Sequence, residues 1–235
     1  MKNRYSRQWF EVFAETIEPS YTRSEIDFLT RQLPLAQFKQ ILDVGCGEGR
    51  HSNLSASLGY SVTGIDRDGH ALSKARRAAP PGAEYIEMDT RKLKKVTKMF
   101  DAVICLWQSF GYFDSETNFE LLQEFSEKMR SNGRLILDIY HKTFFEEHQG
   151  TRVIERAGIV MTEEKWMTTN RLTVKLNYET EDEPDYFEWQ LYTPEEISDL
   201  ASQANLELVL ACTGFDEEQP ATPASPRMQL IFKKR

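Results

Sequence analysis

The chain has 235 residues, with 29 Lys or Arg against 37 Asp or Glu, so it carries a formal charge of −8 and an isoelectric point near 5.2. That balance argues against a dedicated nucleic-acid binder, which shows a basic face, and no apolar run approaches the length of a membrane span. Cys46, Cys105 and Cys212 have no paired spacing, and Met1 leads into a charged aromatic segment rather than an export signal, so a reduced, cytoplasmic protein is expected. In chain order, residues 8–18 carry Trp9, Phe10, Phe13 and Ile17 at helical spacing, either as ordinary core or as a lid over a site. Thr22-x-x-Glu25 reads as a capping box ahead of Ile26, Leu29 and Leu33, with Pro34 ending that helix. Residues 1–33 are therefore expected as N-terminal helices.

Residues 41–50, Ile-Leu-Asp-Val-Gly-Cys-Gly-Glu-Gly-Arg, carry the most information. An apolar run ends at Asp43 and opens into Gly45, Gly47 and Gly49, a strand entering a tight turn with a helix starting near Gly49. Glycine allows positive φ and lets a bulky ligand lie on bare main chain, and the new helix points its free N–H groups at that ligand. A second strand, Ser61 to Asp66, ends in an acidic residue about 20 positions after the first glycine, suited to accept from two ribose hydroxyls. A third strand, Glu84 to Asp89, precedes Thr90 and the basic run Arg91–Lys98, which reads as a solvated surface helix. A fourth, Phe100 to Leu106, runs into Trp107-Gln-Ser-Phe-Gly-Tyr-Phe113. A helix from Ser115 to Arg130 closes at Asn132-Gly133, and Arg134–Tyr140 forms a fifth strand followed by His141.

From Thr151 to Tyr192 the residues favour strands, at Val153–Ile154, Ile159–Met161, Leu172–Tyr178 and Tyr186–Leu191, which predicts an antiparallel hairpin or three-stranded insert. The segment leaves from the carboxyl end of the fifth strand, where ligands bind in open α/β sheets, and is expected to cover a substrate site. Thr193-Pro-Glu-Glu196 is a second capping signal. Strands over Glu207–Cys212 and Met228–Lys233 flank a loop from Thr213 to Arg227. The alternation of strands and helices predicts a single α/β domain over residues 1–235 with a doubly wound parallel sheet.

The string from Ile41 to Gly49 resembles motif I of class I S-adenosylmethionine (SAM)-dependent methyltransferases. The resemblance implies a seven-stranded, mostly parallel Rossmann-like sheet and SAM as cofactor, with no metal. It also assigns residues. Asp43 would reach the SAM ammonium group, while Gly45, Cys46 and Gly47 would lie along its methionine part. Asp66 and Arg67 would meet the ribose, Asp89 and Thr90 the adenine, and Leu106 and Trp107 would lie beside the sulfonium. Ser109–Phe113, the insert and Leu191–Ile197 are similar to a bacterial small-molecule subgroup that includes sugar N-methyltransferases. No Asn/Asp-Pro-Pro-Tyr/Phe element and no Pro-Cys pair appears, which argues against methylation of DNA bases by the routes that need them. The expected activity is methyl transfer to a nitrogen or oxygen of a small molecule, with His141 and Tyr112 as candidate catalytic residues. A homodimer through the insert is one expected arrangement. Two other classes stay open: a nucleotide-dependent oxidoreductase, against which Arg50 stands in place of the third fingerprint glycine, and a non-catalytic SAM-binding protein.

Overall fold

In the first half of the chain, short runs of β-branched and aliphatic residues form the strands, and polar, helix-forming stretches lie between them. The computed structural model describes residues 3, 6–9, 12, 13, 17–179 and 183–235. Its first half is a β/α alternation. A short α1 (Arg7–Trp9) and a long α2 (Pro19–Gln32) lead to β1 (Gln40–Val44), α3 (Arg50–Ser57), β2 (Ser61–Asp66), α4 (Gly69–Arg77), β3 (Ala83–Glu87) and β4 (Phe100–Cys105). Helix α5 (Ser115–Lys128) and β5 (Met129–Tyr140) complete that half. After α6 (Lys142–Glu147) come four antiparallel strands, β6 (Gly150–Arg156), β7 (Ile159–Thr168), β8 (Arg171–Tyr178) and β9 (Asp185–Gln190). Helix α7 (Pro194–Gln203) and strands β10 (Leu206–Thr213), β11 (Asp216–Pro220) and β12 (Arg227–Lys234) end the chain.

The main sheet has the order β11-β10-β12-β5-β4-β1-β2-β3. Strands β1 to β5 pair in parallel, and β12 enters antiparallel against β5 and β10. Consecutive residues of β1 serve opposite faces: Ile41 packs with Phe28 and Leu29 of α2, while Leu42 packs with Leu122 and Phe125 of α5. Both faces of the central parallel strands are therefore buried, and their carboxyl ends are left to build a site. No helix among the described residues is long and apolar enough to cross a membrane.

Four expectations are corrected. The sheet has eight strands rather than seven, because the loop expected over Thr213–Arg227 contains β11, paired with β10. The insert is four-stranded, beyond the hairpin or three strands expected, because β6 and β7 run longer than their apolar cores. The basic run forms a 3-10 helix, Thr90–Lys95, capped by Asp89. Thr22 and Glu25 do not cap a helix: Pro19 sits in the first turn of α2, so the helix starts earlier and both side chains lie inside it, buried. Of the predicted helix over residues 8–18, Phe10 lies outside the described residues. The capping box at Thr193 and Glu196 is present in both directions.

Candidate cofactor and acceptor site

The turn after β1 is built as its glycines demand. Gly45, Gly47 and Gly49 all take positive φ, at 77°, 53° and 76°. The amides of Gly45 and Cys46 donate to the Ile65 carbonyl at 2.8 and 3.1 Å, which ties the turn to β2. The three glycines do different things. A Cβ on Gly45 would meet Ser109 Cβ at 2.6 Å, and one on Gly49 would meet the hydroxyl of Tyr85. A Cβ on Gly47 would meet nothing within 4 Å. Gly45 and Gly49 therefore let the protein pack on itself, whereas Gly47 faces open space where a ligand can lie on the main chain. Asp43 is buried, and its Oδ2 accepts from Ser52 Oγ at 2.6 Å, bracing the first turn of α3. Burial pushes this carboxyl above its ordinary range, against the pull of His51.

Asp66, at the end of β2, accepts from the Gly47 amide at 2.8 Å and from the Asp68 amide at 2.9 Å. It therefore links the turn to the loop that should meet a ribose, while Asp68 takes the helix-capping role at α4. Each carboxylate oxygen keeps a second lone pair for a ligand hydroxyl. Arg67 and Asp89 share a shallow hollow of about 340 Å³ with Glu87, Met88, Lys92 and Lys95. The Arg91 guanidinium holds the Asp89 carboxyl down at about 2, so Asp89 presents to any adenine an anion already bonded on both oxygens. Thr90 opens the 3-10 helix beside it. Leu106 is buried among the core residues of α2 and β1, and burial with the Asp43 and Asp66 charges nearby pushes the Cys46 thiol far above its ordinary range.

The end of β4 is strained. Trp107 and Gln108 are consecutive non-glycine residues at φ 52° and 58°, a conformation that persists only where surroundings over-determine it. Here they do. Trp107 N donates to Asp138 Oδ2 at 2.8 Å, Gln108 N to the Asp138 carbonyl at 3.0 Å, and Tyr140 N to Gln108 Oε1. Asp138 is fully buried in β5 and also pairs with Arg227 and with Gln229 at 2.8 Å. The guanidinium groups of Arg50 and Arg227 lie over the Trp107 indole, 4.7 and 4.6 Å from the ring centre. Its Nε1 donates to Glu25 of α2 at 2.5 Å. Glu25 is also buried, paired with Arg50 and with His51 at 2.9 Å; burial works against its charge, and these two partners more than offset that, lowering its pKa. Sequence reasoning missed Glu25, Gln108, Asp138 and Arg227.

Beyond Trp107 a cavity of about 1010 Å³ opens between the parallel strand ends and the inner face of the insert sheet. Trp107, Gln108, Tyr112 and Tyr140 line it from the main sheet, and Phe187 and Trp189 from β9. Tyr112 packs on Trp189 at 5.8 Å. Trp9 and Phe13 close it from the N-terminal segment, stacked at 5.8 Å. That segment is stitched to the insert. Ser6 donates twice to the buried Asp185 of β9, at 2.6 and 2.7 Å, and Asn3 accepts from the Glu188 amide at 2.9 Å.

The two expected catalytic residues part company. Tyr112 lines the cavity. His141 does not: it is buried where the chain bridges to Tyr192, and its Nδ1 has no partner among the described residues. Burial also lowers its pKa below the ordinary value. The reason is alternation, since Tyr140 faces the cavity and the next residue points away. The histidine that lines the cavity is His148. Its ring stacks on Phe144 at 3.9 Å, and its Nδ1 lies 2.7 Å from the Phe144 carbonyl. A carbonyl only accepts, so Nδ1 carries the hydrogen and Nε2 of the neutral ring carries the lone pair.

The residues around the turn fit SAM: an open main-chain patch at Gly47, a helix N-terminus behind it and a carboxylate at Asp66. Comparison with known proteins agrees. Residues 41–133 match the methyltransferase-domain family. A glycine/sarcosine N-methyltransferase from Aphanothece halophytica is 30% identical over 146 residues, covering 58% of this chain and 55% of that protein. The chain spans about half the length of the curated relatives it matches. Among solved structures, an S-adenosylmethionine-dependent methyltransferase from Clostridium acetobutylicum superposes with a TM-score of 0.81 at 14% identity, covering 97% of this chain and 96% of that one. An amino pentose methyltransferase from Micromonospora echinaspora, solved with SAM bound, gives 0.70 at 17% identity over all of both chains.

Proposed function

We propose that this chain, a class I methyltransferase fold carrying its methyltransferase domain over residues 41–133, moves the methyl group of SAM to a nitrogen or oxygen of a small-molecule acceptor. One observation carries the reading. The loop from Trp107 to Phe113 touches the glycine turn on one side, through Ser109 against Gly45, and lines the aromatic cavity on the other, through Trp107, Gln108 and Tyr112. A methyl donor on the turn and an acceptor in the cavity would therefore meet across one loop.

Bound there, SAM supplies an electrophilic methyl on a good leaving group. The protein's task is alignment and exclusion of water rather than bond-making of its own. Gly47 and Asp66 hold the donor, and Trp107, held by Asp138 and Glu25 and by the cations of Arg50 and Arg227, fixes the loop between the two sites. Tyr112, Tyr140 and Trp189 wall the acceptor. Burial pushes the Tyr140 hydroxyl above its ordinary range, so it serves as a neutral hydrogen-bonding group rather than a phenolate base. Where the acceptor must lose a proton, His148, exposed at the edge of the cavity, presents Nε2 as a lone pair to take it. The same reading has a cytoplasmic protein with a small-molecule partner. It also keeps a homodimer through the outer face of the insert, on the evidence of exposed Val153 and Trp166; sedimentation velocity would show a single-chain mass if that part is wrong.

The test is a screen of S-adenosylhomocysteine release over amines, phenols, carboxylates and sugars, with thermal shifts by S-adenosylhomocysteine and NADH in parallel. Turnover of one acceptor with a thermal shift by S-adenosylhomocysteine alone is expected. A shift by NADH alone would return the chain to the oxidoreductase class, and S-adenosylhomocysteine binding without turnover on any acceptor would favour a SAM-binding protein without catalysis.

A further inference from the structure

The inner face of the insert sheet is apolar, with Leu172, Val174, Leu176 and Phe187 buried on it, yet β7 places two charges on that same face. Side chains alternate along a strand, so Met161, Glu163, Lys165 and Met167 share one side. The sheet register sets Arg152 of β6 opposite Glu163 and Lys165 opposite Val174. Glu163 pairs with Arg152 and, at 3.0 Å, with Lys165, whose ammonium also sits 5.8 Å from the Phe145 ring. The side chains of Glu163 and Lys165 are only 13% and 14% exposed, and all three residues line the large cavity.

Charged groups are costly on an apolar face unless they are paired, and Glu163 and Lys165 meet that condition through each other. A single ion pair would be neutral, but here two cations share one carboxylate: Lys165 is nearly buried, while Arg152 reaches Glu163 from the rim with 61% of its side chain exposed, so the surplus positive charge sits where an anion can approach from water. Lysine has three N–H donors, and the pair with Glu163 needs one. The remaining carboxylates of the cavity wall, Glu147 and Glu155, are exposed at its rim, where water screens them. We infer that Arg152, Glu163 and Lys165 form an anion subsite that recognises the acceptor, which is a ring compound bearing a carboxylate or phosphate group. The aromatic walls take the ring on its faces, and Lys165 with Arg152 takes the anion. This inference rests on the acceptor cavity proposed above.

The test uses pairs of probes that differ in charge: para-aminobenzoate and para-aminobenzamide, para-hydroxybenzoate and para-hydroxybenzamide, glucosamine phosphate and glucosamine. Binding is read by fluorescence of Trp9, Trp107 and Trp189, which line the cavity, with S-adenosylhomocysteine saturating. In at least one pair the anionic member should bind about tenfold more tightly or better, the scale of one charge-assisted hydrogen bond. The benzoate and phosphate pairs separate the two anion sources. Lys165→Met should reduce that preference to under about threefold and leave S-adenosylhomocysteine affinity unchanged. Glu163→Gln should strengthen anion binding, because it removes the competing carboxylate; a merely structural triad would weaken it. No preference for an anion in any pair, or a preference that survives Lys165→Met, overturns the inference. If S-adenosylhomocysteine fails to bind the unaltered protein, methyl transfer falls instead, and the comparison within pairs still tests the subsite.

Discussion

Gly45 and Gly47 are two residues apart and both left-handed, yet substitution at each should fail for a different reason. An L-residue in that conformation costs roughly 1–2 kcal/mol. At Gly45 the new Cβ also lands 2.6 Å from Ser109 Cβ, close to a backbone that cannot swing aside, and overpacking of that kind adds about 1–3 kcal/mol. Gly45→Ala should therefore cost about 3 kcal/mol, which in a chain of this size is a fall of roughly 6–12 °C in melting temperature. Gly47→Ala carries only the conformational cost, because nothing lies within 4 Å of the new atom. Its damage should appear on adding S-adenosylhomocysteine, whose stabilisation by mass action should largely vanish. Differential scanning calorimetry with and without S-adenosylhomocysteine reads both effects. A cycle with Ser109→Gly isolates the clash: in the Gly45→Ala background it should return about 1–3 kcal/mol as coupling. Coupling under about 0.5 kcal/mol, or an unliganded Gly47→Ala as destabilised as Gly45→Ala, would refute the division of labour between the two glycines.

Asp66→Ala should weaken S-adenosylhomocysteine binding by roughly 1–3 kcal/mol by titration calorimetry, since it removes a charged acceptor and frees the Gly47 amide; undiminished affinity would remove Asp66 from the ribose site. Glu25→Gln should destabilise the fold by roughly 3 kcal/mol in urea denaturation, the low end for a broken buried pair because Arg50 keeps 26% of its side chain in water. Unchanged stability would mean that the Glu25 cluster only decorates the interface. Burial lowers the His141 pKa, so the unfolded chain takes up the proton first: stability is whole above the ordinary histidine value of 6.5 and is lost as pH falls below it. Replacing His141 with Gln should flatten that part of the melting-temperature profile, and an equally steep acid limb in the variant would count against it.

Local backbone demands were legible in the sequence, and long-range pairings were not. Gly45, Gly47 and Gly49 could be read because positive φ is a demand that each residue of one turn meets by itself. The role of Glu25 was hidden because its partners Arg50, His51 and Trp107 come from 25, 26 and 82 residues away. Its spacing from Thr22 also mimics a cap, and only Pro19 betrays the earlier helix start. Asp138 leaves a trace, one acid within the aliphatic run Leu135–Ile139 of β5. Strand β11, Asp-Glu-Glu-Gln-Pro, has no strand-forming composition and exists through its pairing with β10. Arg152, Glu163 and Lys165 look like solvated surface until register brings them onto the inner face. His141 misses the cavity because the chain faces the other way after Tyr140, a matter of one residue.

The ties from Asn3 and Ser6 to Glu188 and Asp185 also bear on the order in which the molecule assembles. They close loops of 185 and 179 residues, whereas the glycine turn and Asp66 are joined over 19. Closing loops of that length costs more chain entropy than closing the short one. The upper storey of the molecule can therefore come loose while the parallel sheet stays whole, as a cooperative unit of its own. Mild heating or dilute urea should expose Trp9 and Trp189 to quenchers before the sheet melts, and a partly denatured sample should keep its grip on the nucleoside after it has lost its hold on anything in the chamber above.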